Sequence, residues 1–124
     1  MLPLRFQLTS VVHHSRGALE GAQQGLFAPP KGAAELDYAG LQALVSEARA
    51  VLAAYTPETV NGLVGGETVF QAGERRMPFT TEDFLMSFSL PNFYFHAATA
   101  YDILRHQGVP LGKRDFLGRM RMKA

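Results

Sequence analysis

The sequence contains no cysteine. Disulfide frameworks, zinc ribbons, thiol nucleophiles and thiolate-held iron–sulfur clusters are therefore excluded, and redox logic leaves the compartment open. Net charge is nearly absent as well: 12 basic residues against 11 acidic ones leave +1. No global field then draws the chain to nucleic acid or to an anionic membrane. No apolar run approaches the roughly 20 residues of a membrane span, and Met1-Leu2-Pro3-Leu4-Arg5 lacks the long apolar region of a signal peptide. These absences predict a cytoplasmic domain with no nucleic-acid and no membrane partner. The 124 residues, 47% of them hydrophobic and 19% charged, fit one globular domain with a core of its own.

Helical periodicity dominates what is present. Leu4, Leu8, Val11, Val12, Ser15, Leu19 and Ala22 recur at spacings of three and four, which predicts one amphipathic helix from Leu4 to about Gln24, with Pro3 at its start. A second strip on the same segment, Ser10, His14, Gly17 and Gly21, is made of small residues and one imidazole. Two glycines inside a helix cost roughly 1 kcal/mol each, so another backbone is expected to pass close by. Leu26 to Gly32, with Pro29-Pro30, reads as a break. Asp37 then caps a helix running to about Tyr55, and Thr56-Pro57-Glu58 ends it and opens a short helical turn.

Between residues 61 and 79 the turn dipeptides Asn61-Gly62 and Gly65-Gly66, and the β-prone Thr68-Val69-Phe70, predict a small hairpin or irregular loop. Pro78 would keep its second arm at an edge. Thr80 and Asp83 restart a helix that Pro91 kinks, and Gly108 with Val109-Pro110 stops it after Gln107. The fold class expected is mostly all-α, with long helices near 3–25, 37–55 and 80–107. The domain would cover residues 1–118 and be followed by a basic tail, 119–124.

The residues that could carry chemistry are few. His96 shares one side of the last helix with Phe93, Ala97, Ala100 and Leu104, so it points inward. The usual helical metal pair needs a second ligand three or four residues on, and those positions are Thr99 and Ala100. His13 and His14 diverge by about 100° on one helix, which assigns them to different surroundings and makes His14, on the glycine strip, the better ligand. His106 sits where it can cap the helix C-terminus. A His14–His96 metal pair completed by a carboxylate therefore stands beside a plainer reading, a buried His96 that donates a hydrogen bond to a backbone carbonyl or to Tyr94 or Tyr101. No Gly-x-Ser-x-Gly elbow and no phosphate loop occur, and Glu82 and Asp83 are explained by a first helical turn. Phe88, Phe93, Tyr94, Phe95 and Tyr101 read as core, with Tyr94 and Tyr101 as candidate pocket residues whose hydroxyls want partners.

One stretch is more specific. Leu90-Pro91-Asn92-Phe93-Tyr94-Phe95-His96, preceded by Phe84 to Ser89 and followed by Thr99 to His106 and Gly108 to Gly118, closely resembles the C-terminal signature of a bacterial family known as domain of unknown function nineteen ninety-three. Pro3-Leu4 to Gln7 and Arg16-Gly17-Ala18 resemble that family's second helix. The resemblance spans roughly residues 1–118 and implies an outlying DinB-like protein, an up-down four-helix bundle without established activity. Family members carry a further helix ahead of the segment that begins here at Met1, so the resemblance implies a bundle shortened at its N-terminus.

DinB-like proteins often bind a divalent metal, such as zinc or nickel, through one histidine on the second helix and an H-x-x-x-H pair on the last. The resemblance places His14 and His96 in two of those positions and Ala100 in the third. The expected function is a binding or interaction protein without catalysis, taking a small-molecule ligand. The alternative is a DinB-like metal-dependent enzyme with thiol-transfer-like chemistry on a small molecule. A homodimer is expected, because an uncovered helix face exceeds the apolar patch a monomer usually tolerates.

Overall fold

The computed structural model describes residues 1–30 and 35–124. Of the expected break at Leu26–Gly32, Lys31 and Gly32 lie outside the described residues. The chain is mostly helical, with a small three-stranded sheet.

The first amphipathic segment forms two helices rather than one: α1 (Leu4–His13) and α2 (Arg16–Gln24). They part at His14-Ser15. The Ser15 hydroxyl bonds back to the Val11 carbonyl at 2.7 Å, offering the backbone a local alternative to the next helical turn. Gly25, in the left-handed region at φ 74°, ends α2 and turns the chain into β1 (Leu26–Phe27).

Asp37 caps α3 (Tyr38–Ala53) as its sequence position predicts, accepting from the Gly40 amide at 2.8 Å. Thr56 does the same for the short α4 (Pro57–Asn61). The predicted hairpin is β2 (Glu67–Ala72) and β3 (Arg75–Thr80), antiparallel from Glu67↔Thr80 to Ala72↔Arg75 around a turn at Gly73. β1 joins it in parallel, with Leu26 opposite Val69 and Phe27 opposite Phe70. The strand order β1-β2-β3 leaves β3 at an edge, where Pro78 belongs.

Thr80 then caps α5 (Thr81–Asp83), and its hydroxyl accepts from the Asp83 amide. Helical structure continues through a π-helical segment (Phe84–Ser89) into α6 (Leu90–His106). The expected kink at Pro91 takes this form. The proline sits in the first turn of α6, where no intrahelical N–H is required, and the wider π turns precede it. The Asn92 side-chain amide donates to the Phe88 carbonyl at 2.7 Å beside the proline. α6 ends in a Schellman motif, with Gly108 at φ 88° and the Val109 amide reaching back to the Leu104 carbonyl. The tail folds one more turn, α7 (Lys113–Leu117), whose Phe116 packs edge-on against Tyr101.

The core lies where the sheet meets α2 and the π segment. Ala18, Phe27 and Phe84 are buried there, packed by Phe70, Phe79, Leu85 and Phe88. Aromatic pairs such as Phe27–Phe84 and Phe70–Phe88 have ring centroids 5.1 and 4.9 Å apart, within the favourable range. This corrects the aromatic core expected on α6. Phe88 belongs to it, but Tyr94 and Phe95 are 58% and 65% exposed. The side of α6 that α1 covers carries His96 and Ala100, so residues 94 and 95 turn elsewhere.

The glycine strip also divides. A Cβ on Gly21 would lie 3.1 Å from the Leu26 carbonyl oxygen and from the Phe27 ring, so a backbone does pass close there. A Cβ on Gly17 would lie 3.2 Å from the His13 ring, so Gly17 makes room for an imidazole.

Candidate functional site

A cavity of about 400 Å³ opens between α1, the start of α6 and the sheet. Three imidazoles, His13, His14 and His96, reach it among Phe6, Phe27 and Phe88. His14 and His96 come together as the sequence predicts, their rings nearly parallel (13°) with centroids 5.9 Å apart. His13 is a correction. It was expected to diverge from His14, yet both rings line the same cavity, 5.5 Å apart and edge to face. His14 still donates its amide to the Ser10 carbonyl at 2.8 Å as the next helical residue, so the two rings leave the end of α1 in different directions and meet different walls of one cavity, His13 against Phe27 and His14 towards His96. His13 stacks on Phe27 at 4.2 Å and 26°.

The hydrogen bonds define a proton arrangement. Gln7, buried on α1, donates through Nε2 to the Leu2 carbonyl at 2.9 Å, which turns its Oε1 towards His96. That oxygen can only accept, and His96 Nδ1 lies 2.7 Å away. His96 therefore carries its proton on Nδ1, and in the neutral ring the lone pair is on Nε2. Gln7 takes the partner role that a carbonyl, Tyr94 or Tyr101 was expected to fill. Nothing in the helical pattern hid it. It lies three residues before Ser10 and seven before His14, on the strip already singled out.

The imidazoles are held neutral. Burial pushes His14 down to about 4, with the neighbouring His13 and His96 adding repulsion to its charged form. Burial lowers His13, partly offset by the nearby Ala28 backbone, and burial lowers His96. Among the described residues, His13 Nε2 and His14 Nδ1 are buried without a hydrogen-bond partner. Such atoms are uncommon in a folded chain and call for a partner from water or a ligand. Among the described residues, no carboxylate or guanidinium lines the cavity.

The other candidate residues sit apart. Tyr94 is exposed and packs edge-on against Phe93. Tyr101 lines a shallow groove with Phe116 and lies under the Arg105 guanidinium, 5.5 Å from ring centroid to carbon. Neither reaches the histidine cavity. His106 lies in the last turn of α6, where a helix-capping role places it.

The metal site implied by the resemblance can be tested against these side chains. Ala100 is buried and offers no ligand, and among the described residues no three histidine, aspartate or glutamate side chains are placed to share one ion. The donor set present does not complete the three-histidine pattern. Also among the described residues, no helix is long and apolar enough to cross a membrane.

Comparison with known proteins agrees with this geometry. A crystal structure of a DinB family member protein from Shewanella denitrificans matches with a TM-score of 0.81 and 26% sequence identity. The match covers all of this chain and 70% of that one. No curated protein matches. The family model described as Domain of unknown function (DUF1993) matches residues 1–117. With nearly its whole length matched and a DinB family member as its structural neighbour, this chain belongs to the DUF1993 family.

Proposed function

We propose that this DinB-like domain is a small-molecule-binding protein without catalysis of its own, and that the histidine cavity is its site. The observation that carries the reading is the pair of buried ring nitrogens, His13 Nε2 and His14 Nδ1, unpartnered among the described residues, in a cavity walled largely by the Phe6, Phe27, Phe70 and Phe88 rings. A volume of about 400 Å³ suits a small organic molecule. The uncharged side chains that line it among the described residues favour a neutral, mostly apolar one. The Nε2 lone pair of His96 asks it for an N–H or O–H donor. Nucleophilic catalysis needs a nucleophile paired with its base, and among the described residues neither the Thr9 nor the Ser10 hydroxyl is hydrogen-bonded to an imidazole, the Thr9 hydroxyl being bonded to the Phe6 carbonyl.

The test is histidine-¹⁵N NMR of the protein with a library of neutral heteroaromatic and amide fragments. Binders are expected to shift the His14 and His96 ring nitrogens, and His96→Leu is expected to weaken them at least tenfold. A library that leaves all three imidazoles unmoved refutes the reading.

The orphaned His14 Nδ1 and the lone pair of His96 Nε2 favour one rival, a DinB-like metal-dependent enzyme holding zinc or nickel at His14 and His96. Stoichiometric metal in untagged protein, with a melting temperature raised by that metal in wild type but not in His96→Gln, would put the rival in its place.

A further inference from the structure

Asn92 lines the histidine cavity one helical turn before His96, both of them on α6 and both half-buried. Its Nδ2 is anchored on the Phe88 carbonyl at 2.7 Å. Only the NH2 end of an amide can donate to a carbonyl oxygen, so the two ends of this side chain are assigned, nitrogen to the backbone and Oδ1 as an acceptor. Among the described residues no donor reaches that oxygen. His96 is fixed in the same way, since its Nδ1 proton goes to Gln7 and its Nε2 keeps a lone pair. In each case a bond inside the protein holds the donor end and leaves an acceptor over.

The spacing of the two suits one chemical group. Side chains four apart on a helix stand about 5–6 Å apart at Cβ. The two hydrogens of a planar NH2 group diverge, and with bonds of about 2.9 Å they join acceptors roughly 5 Å apart. An aliphatic amine would bring those hydrogens with a positive charge, and among the described residues no carboxylate lines the cavity to compensate it. An NH2 group conjugated to a carbonyl or to an aromatic ring stays neutral and flat. Flat walls await such a body: Phe6 meets His96 edge-on at 5.8 Å, and Phe88 lies 5.9 Å from His14.

We propose that the ligand is a planar molecule with a neutral primary NH2 group, a carboxamide in the simplest case, and that Asn92 Oδ1 and His96 Nε2 together select it. The inference rests on the reading of this cavity as a ligand site and adds Asn92 to it as a specificity residue. An analogue lacking one N–H leaves an acceptor without its partner, so the site discriminates by hydrogen count.

The experiment follows benzamide, N-methylbenzamide and N,N-dimethylbenzamide, which offer two, one and no N–H groups, by NMR of ¹³C,¹⁵N-labelled protein. Benzamide is expected to shift both His96 Nε2 and the side-chain ¹³Cγ of Asn92. Each methylation is expected to weaken binding about fivefold, the worth of one neutral hydrogen bond. In Asn92→Leu, checked for fold by circular dichroism, benzamide should lose its advantage over N-methylbenzamide. The ¹³Cγ signal is read in wild type, so the test holds even if that variant does not fold. Fragments that move His96 but leave Asn92 ¹³Cγ in place overturn the proposal while the cavity remains a ligand site. So does N-methylbenzamide binding as tightly as benzamide, or an advantage for benzamide that survives in Asn92→Leu. If none of the fragments moves any imidazole, the ligand-site reading falls and this inference falls with it.

Discussion

Gln7 shows how one buried polar side chain can decide what a neighbouring ring offers. Its amide is oriented by the Leu2 carbonyl, and through that orientation it assigns the proton of His96. Gln7→Met keeps the volume and removes the acceptor, so it should cost about 1–2 kcal/mol in urea unfolding. The His96 ¹⁵N pattern should change from a single Nδ1–H tautomer to a mixture. A variant with unaltered nitrogen shifts would show that something other than Gln7 sets the tautomer.

The three depressed imidazoles also make stability depend on pH. Their folded-state pKa values lie below the unfolded value of 6.5, so the unfolded chain takes up protons first as pH falls. The stability they contribute is complete above 6.5 and declines as pH falls towards about 4, where folded His14 protonates too. His14 is only partly shielded, so its share is about 2 kcal/mol after solvent screening. The urea midpoint should drop between pH 7.5 and 4.5, and His14→Gln should flatten much of that drop. An equally steep drop in the variant would assign the pH dependence elsewhere. His14 and His96 could be paired from sequence because each lies on an inward-facing strip. His13 could not, because adjacent helix positions diverge and spacing alone does not reveal a cavity wide enough to take both rings.

At the scale of elements, strong local signals were legible and those that needed a partner were not. Asp37, Thr80 and Gly108 act through their own neighbours in sequence, and all three stand where their chemistry predicts. The hairpin was readable from its turn glycines. β1 was not: two residues, Leu26 and Phe27, become a strand only because β2 lies alongside to pair with them. The missed split of α1 from α2 has the same origin, since the apolar spacing continues unbroken through Ser15. Gly21 connects the two levels, because its missing side chain lets β1 return against α2. Gly21→Val should therefore cost about 1–3 kcal/mol by overpacking against Leu26 and Phe27, despite removing a helix glycine. A thermal melt in which Gly21→Val is as stable as wild type would show that β1 yields freely.

For the whole molecule, one long-range bond ties distant segments together. The Ser89 hydroxyl donates to the carbonyl of His14, 75 residues earlier, at 2.9 Å. That bond joins the chain's two irregular places, the gap between its first helices and the end of its π segment. Neither can loosen without stripping the other of a buried partner. Native-state amide exchange around Val11–Ser15 and Phe84–Ser89 should then report one shared opening free energy, as members of a single cooperative unit. Ser89→Ala should let the two segments exchange at different rates, turning one event into two.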